Sequence, residues 1–103
     1  MNKRITFRHM EHSNHLENHA EQQLEKIMGL LSTEKTPILV DLILEAHKLR
    51  GHNKVDFHVK TPNVDFFVSD EAPDMEQLVS SVIDTMYHKL REEKKRRLKK
   101  RTE

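Results

Sequence analysis

Residues 37–69 decide the fold, and they read PILVDLILEAHKLRGHNKVDFHVKTPNVDFFVS. Apolar and polar residues alternate in three runs within this stretch, and alternation at period two is typical of strands with one buried face. The β-branched content of the first and longest run favours a strand over the competing helix. Polar turns at 51–53 and 61–63 separate the runs, so we predict three strands in an antiparallel meander. The side chains predicted to face the core are Ile38, Val40, Leu42, Leu44, Ala46, Val55, Phe57, Val59, Val64, Phe66 and Val68.

The residues before this meander predict one strand and one helix. Residues 4–10 alternate in the same way and predict a short strand. Apolar residues then recur at steps of three or four from Leu16 to Leu31, which indicates a helix with one apolar side. Ser13 or Asn14 can cap that helix, because both side chains accept a hydrogen bond from the first turn.

A second helix follows the meander, and its end is strongly basic. Asp74 and Gln77 fit a capping box at its start, and its apolar stripe stops at Leu90. Residues 91–101 read REEKKRRLKKR and carry a net charge of +6, whereas residues 1–90 carry −4. These residue types favour helix, so we predict that the helix continues past the core, polar on all sides.

The element order β-α-β-β-β-α predicts an α+β fold: a four-stranded sheet with two helices packed on one face. A chain of 103 residues fits one domain, and we assign residues 1–103 to it, with a basic helical extension at 91–103. The chain has no cysteine, so disulfides and thiolate metal sites are excluded. It has neither a signal-like apolar stretch nor a membrane-length one, and we expect a cytoplasmic protein.

The basic extension indicates a partner with concentrated negative charge. Lys and Arg that neutralise phosphates release counterions and give affinity for nucleic acid of any sequence. The alternative is a solvated, frayed tail without a partner. No catalytic constellation emerges, since there is no cysteine nucleophile and only two glycines, too few for a phosphate-cradling loop. We therefore expect a binding protein that is not an enzyme and needs no cofactor.

Three further features allow a functional interpretation as well as an ordinary structural one. His12, His15 and His19 would align along one side of a helix, where they could hold Zn²⁺ or simply flank the helix. Phe67 is predicted on the sheet face opposite the core, where it could stack on a base. His88 could add positive charge near the extension as the pH falls.

Three segments in this order resemble one family. The opening ITFRHME (5–11), the LEKIM of the first helix (24–28) and the helix start APDMEQLVSSVID (72–84) are similar to the ribosome hibernation promoting factors. That family is also called ribosome-associated inhibitor A or sigma-54 modulation protein. The resemblance spans about residues 4–100, and the chain looks like the short-type members, which lack a second, ribosome-pairing domain.

The resemblance implies a fold similar to double-stranded RNA-binding domains and a role in silencing translation during stress or stationary phase. The implied partners are the small ribosomal subunit with its 16S rRNA, in the channel for mRNA and tRNA, and 70S or 100S ribosomes. Neither a membrane nor a small-molecule substrate is implied, and we expect a monomer away from the ribosome. The expected RNA-binding residues are Arg8, Lys26, His88, Lys89, Arg91, Lys94, Lys95, Arg96, Arg97, Lys99 and Lys100.

The chain departs from the family pattern at several positions of the second helix. Glu76 stands where a Tyr is usual, Thr85 where a Lys is common, His88 where an Arg is common, and Glu92 replaces another basic residue. The phosphate contacts are therefore expected further along the helix. Two other functions stay open: a protein–protein transcription modulator of the sigma-54 type, and a general binder of double-stranded RNA.

Overall fold

The computed structural model describes residues 1–47 and 51–101, with side chains as far as Leu98. It confirms the predicted α+β class and the order β-α-β-β-β-α. No helix in this part of the chain is long and apolar enough to cross a membrane. The elements are β1 (Asn2–Arg8), α1 (Asn14–Leu31), β2 (Leu39–His47), β3 (His52–Lys60), β4 (Asp65–Ala72) and α2 (Met75–Arg101).

The four strands form one sheet in the order β1-β2-β3-β4. The pairs β2–β3 and β3–β4 are antiparallel, so the predicted meander is confirmed. The first strand pairs with β2 in parallel, which the alternation alone did not predict. Parallel neighbours need a crossover connection, and α1 is that connection.

Both helices pack on one face of the sheet, and the core lies between the two layers. The central strands β2 and β3 supply fully buried side chains such as Leu42 and Phe57, and both helices supply others such as Leu24 and Ile83. Burying such a side chain contributes about 1.5–3 kcal/mol. On the edge strand β4, Phe66 and Val68 are half-buried and pack against the core.

Local hydrogen bonds mark where each helix begins. The Ser13 hydroxyl accepts a hydrogen bond from the backbone N–H of Leu16 at 3.2 Å, which identifies Ser13 as the cap of α1. The Asp74 carboxylate accepts from the N–H of Gln77 at 3.1 Å, as the predicted capping box requires. Each bond satisfies a backbone donor that has no partner inside its helix.

The second helix is much longer than the first. It has 27 residues against 18 for α1, a difference of about 13 Å at 1.5 Å per residue. The predicted continuation beyond Leu90 is therefore confirmed as far as Arg101, and residues 102–103 lie outside the described residues. The molecule is correspondingly elongated, measuring 53 × 22 × 19 Å.

The two helices run in the same direction, side by side. His19 contacts Ser80, Lys26 contacts Asp84, and Glu34 just after α1 contacts Arg97, with sequence separations of 61, 58 and 63 residues. A nearly constant separation in sequence means that the two segments run in the same direction along the molecule. The end of α2 consequently passes beside the linker that follows α1.

Candidate nucleic-acid interface

The basic extension of α2 is anchored to the body on one side. The Arg97 guanidinium donates to both carboxylate oxygens of Glu34, with Nη2 2.5 Å from Oε1 and Nη1 3.4 Å from Oε2. Nearby, the Lys94 ammonium lies 3.4 Å from the Thr33 hydroxyl. The extension is polar, as predicted, but Arg97 and Lys94 do not project past the body, because both contact the linker that follows α1.

This anchoring changes the protonation behaviour of both partners. Hydrogen bonding from Arg97 is the main cause that lowers the pKa of Glu34, against the opposing effect of burial. Hydrogen bonding to Glu34 raises the pKa of Arg97. Each group favours the charged form of the other, so the pair is ionised at neutral pH.

Helix geometry explains why Arg97 faces inward. It lies seven residues after Leu90, the last buried residue of the apolar stripe. Seven residues are close to two helical turns, so both side chains lie on the same side of α2. The spacing between Leu90 and Arg97 is visible in the sequence. The partner of Arg97, Glu34, lies in the linker after α1, where no periodic pattern identifies it.

The outward side of α2 carries the exposed basic side chains. Lys95 and Arg96 are 58% and 72% exposed, and each has a weak ion pair at 3.8 Å, with Glu92 and Glu93 respectively, three residues earlier. Such exposed pairs contribute little, so both cations are available to a polyanion. His88, Lys89 and Arg91 are exposed as well.

Lys89 also contacts an aromatic ring of the sheet. Its ammonium lies 5.9 Å from the ring centroid of the half-buried Phe66 on β4. A cation over an aromatic face is attracted by the ring quadrupole. This contact places the Lys89 ammonium on the β4 side of α2.

The structure brings Lys26 to α2 but leaves Arg8 elsewhere. Lys26 forms an ion pair with Asp84, and its ammonium lies 5.5 Å from the Tyr87 ring centroid. Arg8 is exposed at the end of β1, on the far edge of the sheet from β4. The predicted residues Lys99 and Lys100 belong to α2, but their side chains lie outside the described residues.

The open face of the sheet holds polar pairs and one exposed aromatic residue. Phe67 is 60% exposed and meets His58 edge-on, with the ring centroids 6.3 Å apart. On the same face, Arg4 donates two hydrogen bonds of 3.2 Å to Asp41, and this bonding raises the pKa of Arg4. The predicted placement of Phe67 opposite the core is confirmed, so it lies on the face away from the basic extension.

The three histidines of α1 and its entrance have carboxylate partners. His12 lies 2.6 Å from Glu17, while His15 and His19 lie 3.2 and 3.7 Å from Glu76 on α2. Among residues 1–47 and 51–98, no group of three or more His, Cys, Asp or Glu side chains is arranged to hold a metal ion. In this part of the chain, His15 and His19 connect α1 to the start of α2, whereas His12 is paired within the entrance of α1.

The first turns of α2 are acidic where its last turns are basic. A shallow cleft beside α1 is lined by Asp74, Glu76 and Asp84, with hydroxyls such as Ser80 between them. Within α2 itself, the first Lys or Arg is Lys89. A polyanion would therefore be attracted to the extension and repelled from the start of the same helix.

Comparisons with known structures agree with the fold described above. A solved structure of a ribosomal subunit interface protein from Coxiella burnetii has a similar fold, with a TM-score of 0.71 and 21% identity, and the match covers 91% of this chain and 98% of that one. The N-terminal domain of Protein Y from Thermus thermophilus is also similar, with a TM-score of 0.68 and 15% identity, and the match covers 87% of this chain and 96% of that one. At these identities the likeness establishes the fold. No curated protein sequence matches the chain.

The sequence also matches a family model along most of its length. The match covers residues 4–98 and is described as "Sigma 54 modulation protein / S30EA ribosomal protein". It includes β1 from Arg4, the other three strands, α1, and α2 as far as Leu98, so it covers nearly all of the fold. The chain belongs to the sigma 54 modulation protein / S30EA ribosomal protein family.

Proposed function

We propose that this protein binds the small ribosomal subunit in the channel for mRNA and tRNA and thereby silences translation during stress or stationary phase. Membership of a ribosome-associated family supports a ribosomal partner. The cytoplasm is where such a partner resides. The observation that carries the proposal is the anchored basic helix, whose exposed cations form a row beyond the core.

The contacts would be made to rRNA phosphates. Lys95 and Arg96 are the best-placed cations, because both are exposed and only weakly paired. Lys89, Arg91 and His88 extend the same surface towards the body. Contacts to phosphates carry no base information, so recognition would rest on the shape and charge of the RNA.

The mechanism is steric, and no chemical step is needed. A body about 20 Å thick with a rigid helix along one side would occupy a channel that mRNA and tRNA otherwise fill. Occupancy would be reversible, since affinity based on counterion release falls as the salt concentration rises. Lys26 would act through its ion pair with Asp84, which neutralises one acidic group of α2.

Co-sedimentation tests the proposal directly. Purified protein is mixed with isolated small subunits, large subunits and an unrelated RNA duplex, and each mixture is centrifuged over a series of salt concentrations. We expect association with small subunits that is lost at high salt. Equal binding to any duplex would favour a general double-stranded RNA binder, and binding to none of them would favour a protein–protein regulator.

A further inference from the structure

We propose that Arg97 is a positioning residue: its pairing with Glu34 holds the end of α2 against the body, so that the exposed cations of the extension stand at fixed places. This inference rests on the proposed function, since it states how the RNA-binding surface is kept in order. It reassigns Arg97 from a phosphate ligand to an internal support. We call the Arg97–Glu34 pair and its neighbour Asn63 the clasp.

Two different residues donate hydrogen bonds to the Glu34 carboxylate in the clasp. The carboxylate receives hydrogen bonds from Arg97 and from the Asn63 side-chain amide, the latter at 3.2 Å. Asn63 is itself part of a tight turn, in which the buried Thr61 hydroxyl accepts from the N–H of Asn63 and of Val64 at 3.1 Å. The turn between β3 and β4 therefore helps to fix the acceptor for Arg97.

Exposure separates Arg97 from its basic neighbours. The side chain of Glu34 is 9% exposed and that of Arg97 is 34% exposed, against 72% for the adjacent Arg96. Together with Lys94 and Asn63, the pair lines a cleft of about 370 Å³ between the extension and the body. A phosphate approaching Arg97 would have to compete with a carboxylate that is already in place.

The extension benefits from such a support because its good helix formers also include like-charge pairs that oppose helix formation. Arg91 and Lys95 are four residues apart, as are Lys95 and Lys99, and like charges at this spacing destabilise a helix. Leu98 is 55% exposed, so apolar burial adds little at this end. A segment of this length is marginal as an isolated helix in water, whereas one fixed to the body is preorganised for binding.

A substitution that removes negative charge tests the clasp, because the change in net charge and the loss of the Arg97–Glu34 pair have opposite effects on binding to a polyanion. Glu34→Gln keeps the size and polarity of the side chain but removes the charge that pairs with Arg97. Glu92→Gln is the matched control, because it makes the same change in net charge at a side chain that is 75% exposed. If charge alone governed binding to a polyanion, both variants would bind small subunits at least as tightly as the wild type.

We expect instead that Glu34→Gln binds small subunits about threefold to tenfold more weakly than wild type, because ordering the freed segment on binding is costly. Glu92→Gln should bind equally or more tightly. In the free protein, amide hydrogen exchange of residues 91–98 should be several-fold faster in Glu34→Gln, with the amide of Val82 in the core unchanged. That last comparison establishes that the variant is folded.

The outcomes separate this inference from the proposed function. Glu34→Gln binding as tightly as Glu92→Gln, or showing unchanged exchange at residues 91–98, would overturn the clasp while ribosome binding stands. If wild-type protein does not bind small subunits at all, the proposed function fails, and hydrogen exchange alone then decides whether the clasp orders the extension.

Discussion

Neutralising two exposed cations of the extension, Lys95 and Arg96, should weaken ribosome binding without harming the fold. The change is Lys95→Gln with Arg96→Gln, at side chains that are 58% and 72% exposed and whose carboxylate partners are 3.8 Å away. Both lie beyond the buried stripe that ends at Leu90. Losing two weak surface ion pairs should cost less than about 1 kcal/mol of unfolding free energy.

The size of the effect follows from counterion release. Each phosphate contact contributes a slope of about 0.7–0.9 to the fall of log K with log salt concentration, so two lost contacts should reduce the slope by about 1.4–1.8. At a salt concentration of about 0.1 M, the same relation corresponds to an affinity loss of about 25- to 60-fold.

The assay is a binding titration of fluorescently labelled protein with small subunits at several salt concentrations. The matched control is Lys54→Gln with Lys60→Gln, which makes the same change in net charge on the open face of β3. A salt slope that is unchanged in the first variant would refute the assignment of these residues. An equal change in the control would show that net charge alone matters and that the site has no special role.

Three further substitutions test the fold and the open sheet face. Leu24→Ala removes a fully buried side chain and should lower the unfolding free energy by about 2–5 kcal/mol in denaturant titration; a loss below about 1 kcal/mol would contradict the packing described. Glu34→Gln should lower the unfolding free energy by about 1 kcal/mol at neutral pH. Because the pKa of Glu34 is lowered in the folded protein, this difference in stability should be present above about pH 4.3 and disappear as the pH falls through the lowered pKa. A difference that persists in acid would exclude ionisation of Glu34 as its cause. Phe67→Ala should change thermal stability little, since the ring is 60% exposed; unchanged affinity for small subunits would place RNA contacts elsewhere, whereas a clear loss would support base stacking on the open sheet face.

Local periodicity was sufficient to predict most of the secondary structure and the buried faces. Alternation over residues 38–68 placed Leu42 and Phe57 in the core, and both are fully buried. Residue type indicated Ser13 or Asn14 as the cap of α1 and Asp74 as that of α2, and the hydrogen bonds of Ser13 and Asp74 to backbone groups three residues away identify the two caps. These features depend on neighbours in sequence, which is why the chain reveals them without a structure.

The candidate site was predictable in composition but only partly in arrangement. A charge of +6 in residues 91–101 identified the basic extension, and the family resemblance indicated its ribosomal partner. The inward orientation of Arg97 had a signal in its spacing from Leu90. The placement of Arg8 away from α2 had none, because its position depends on which edge of the sheet β1 occupies.

Patterns along the chain were enough to predict the elements, their buried faces and the concentration of positive charge at one end. The folded structure was needed to show that β1 pairs with β2 in parallel, that the two helices run in the same direction, and that Glu34 therefore meets Arg97. The two kinds of feature differ in the distance along the chain over which they act. Periodicity and capping act over a few residues, whereas contacts such as that of Glu34 with Arg97 join positions 63 residues apart and exist only once the layers have packed.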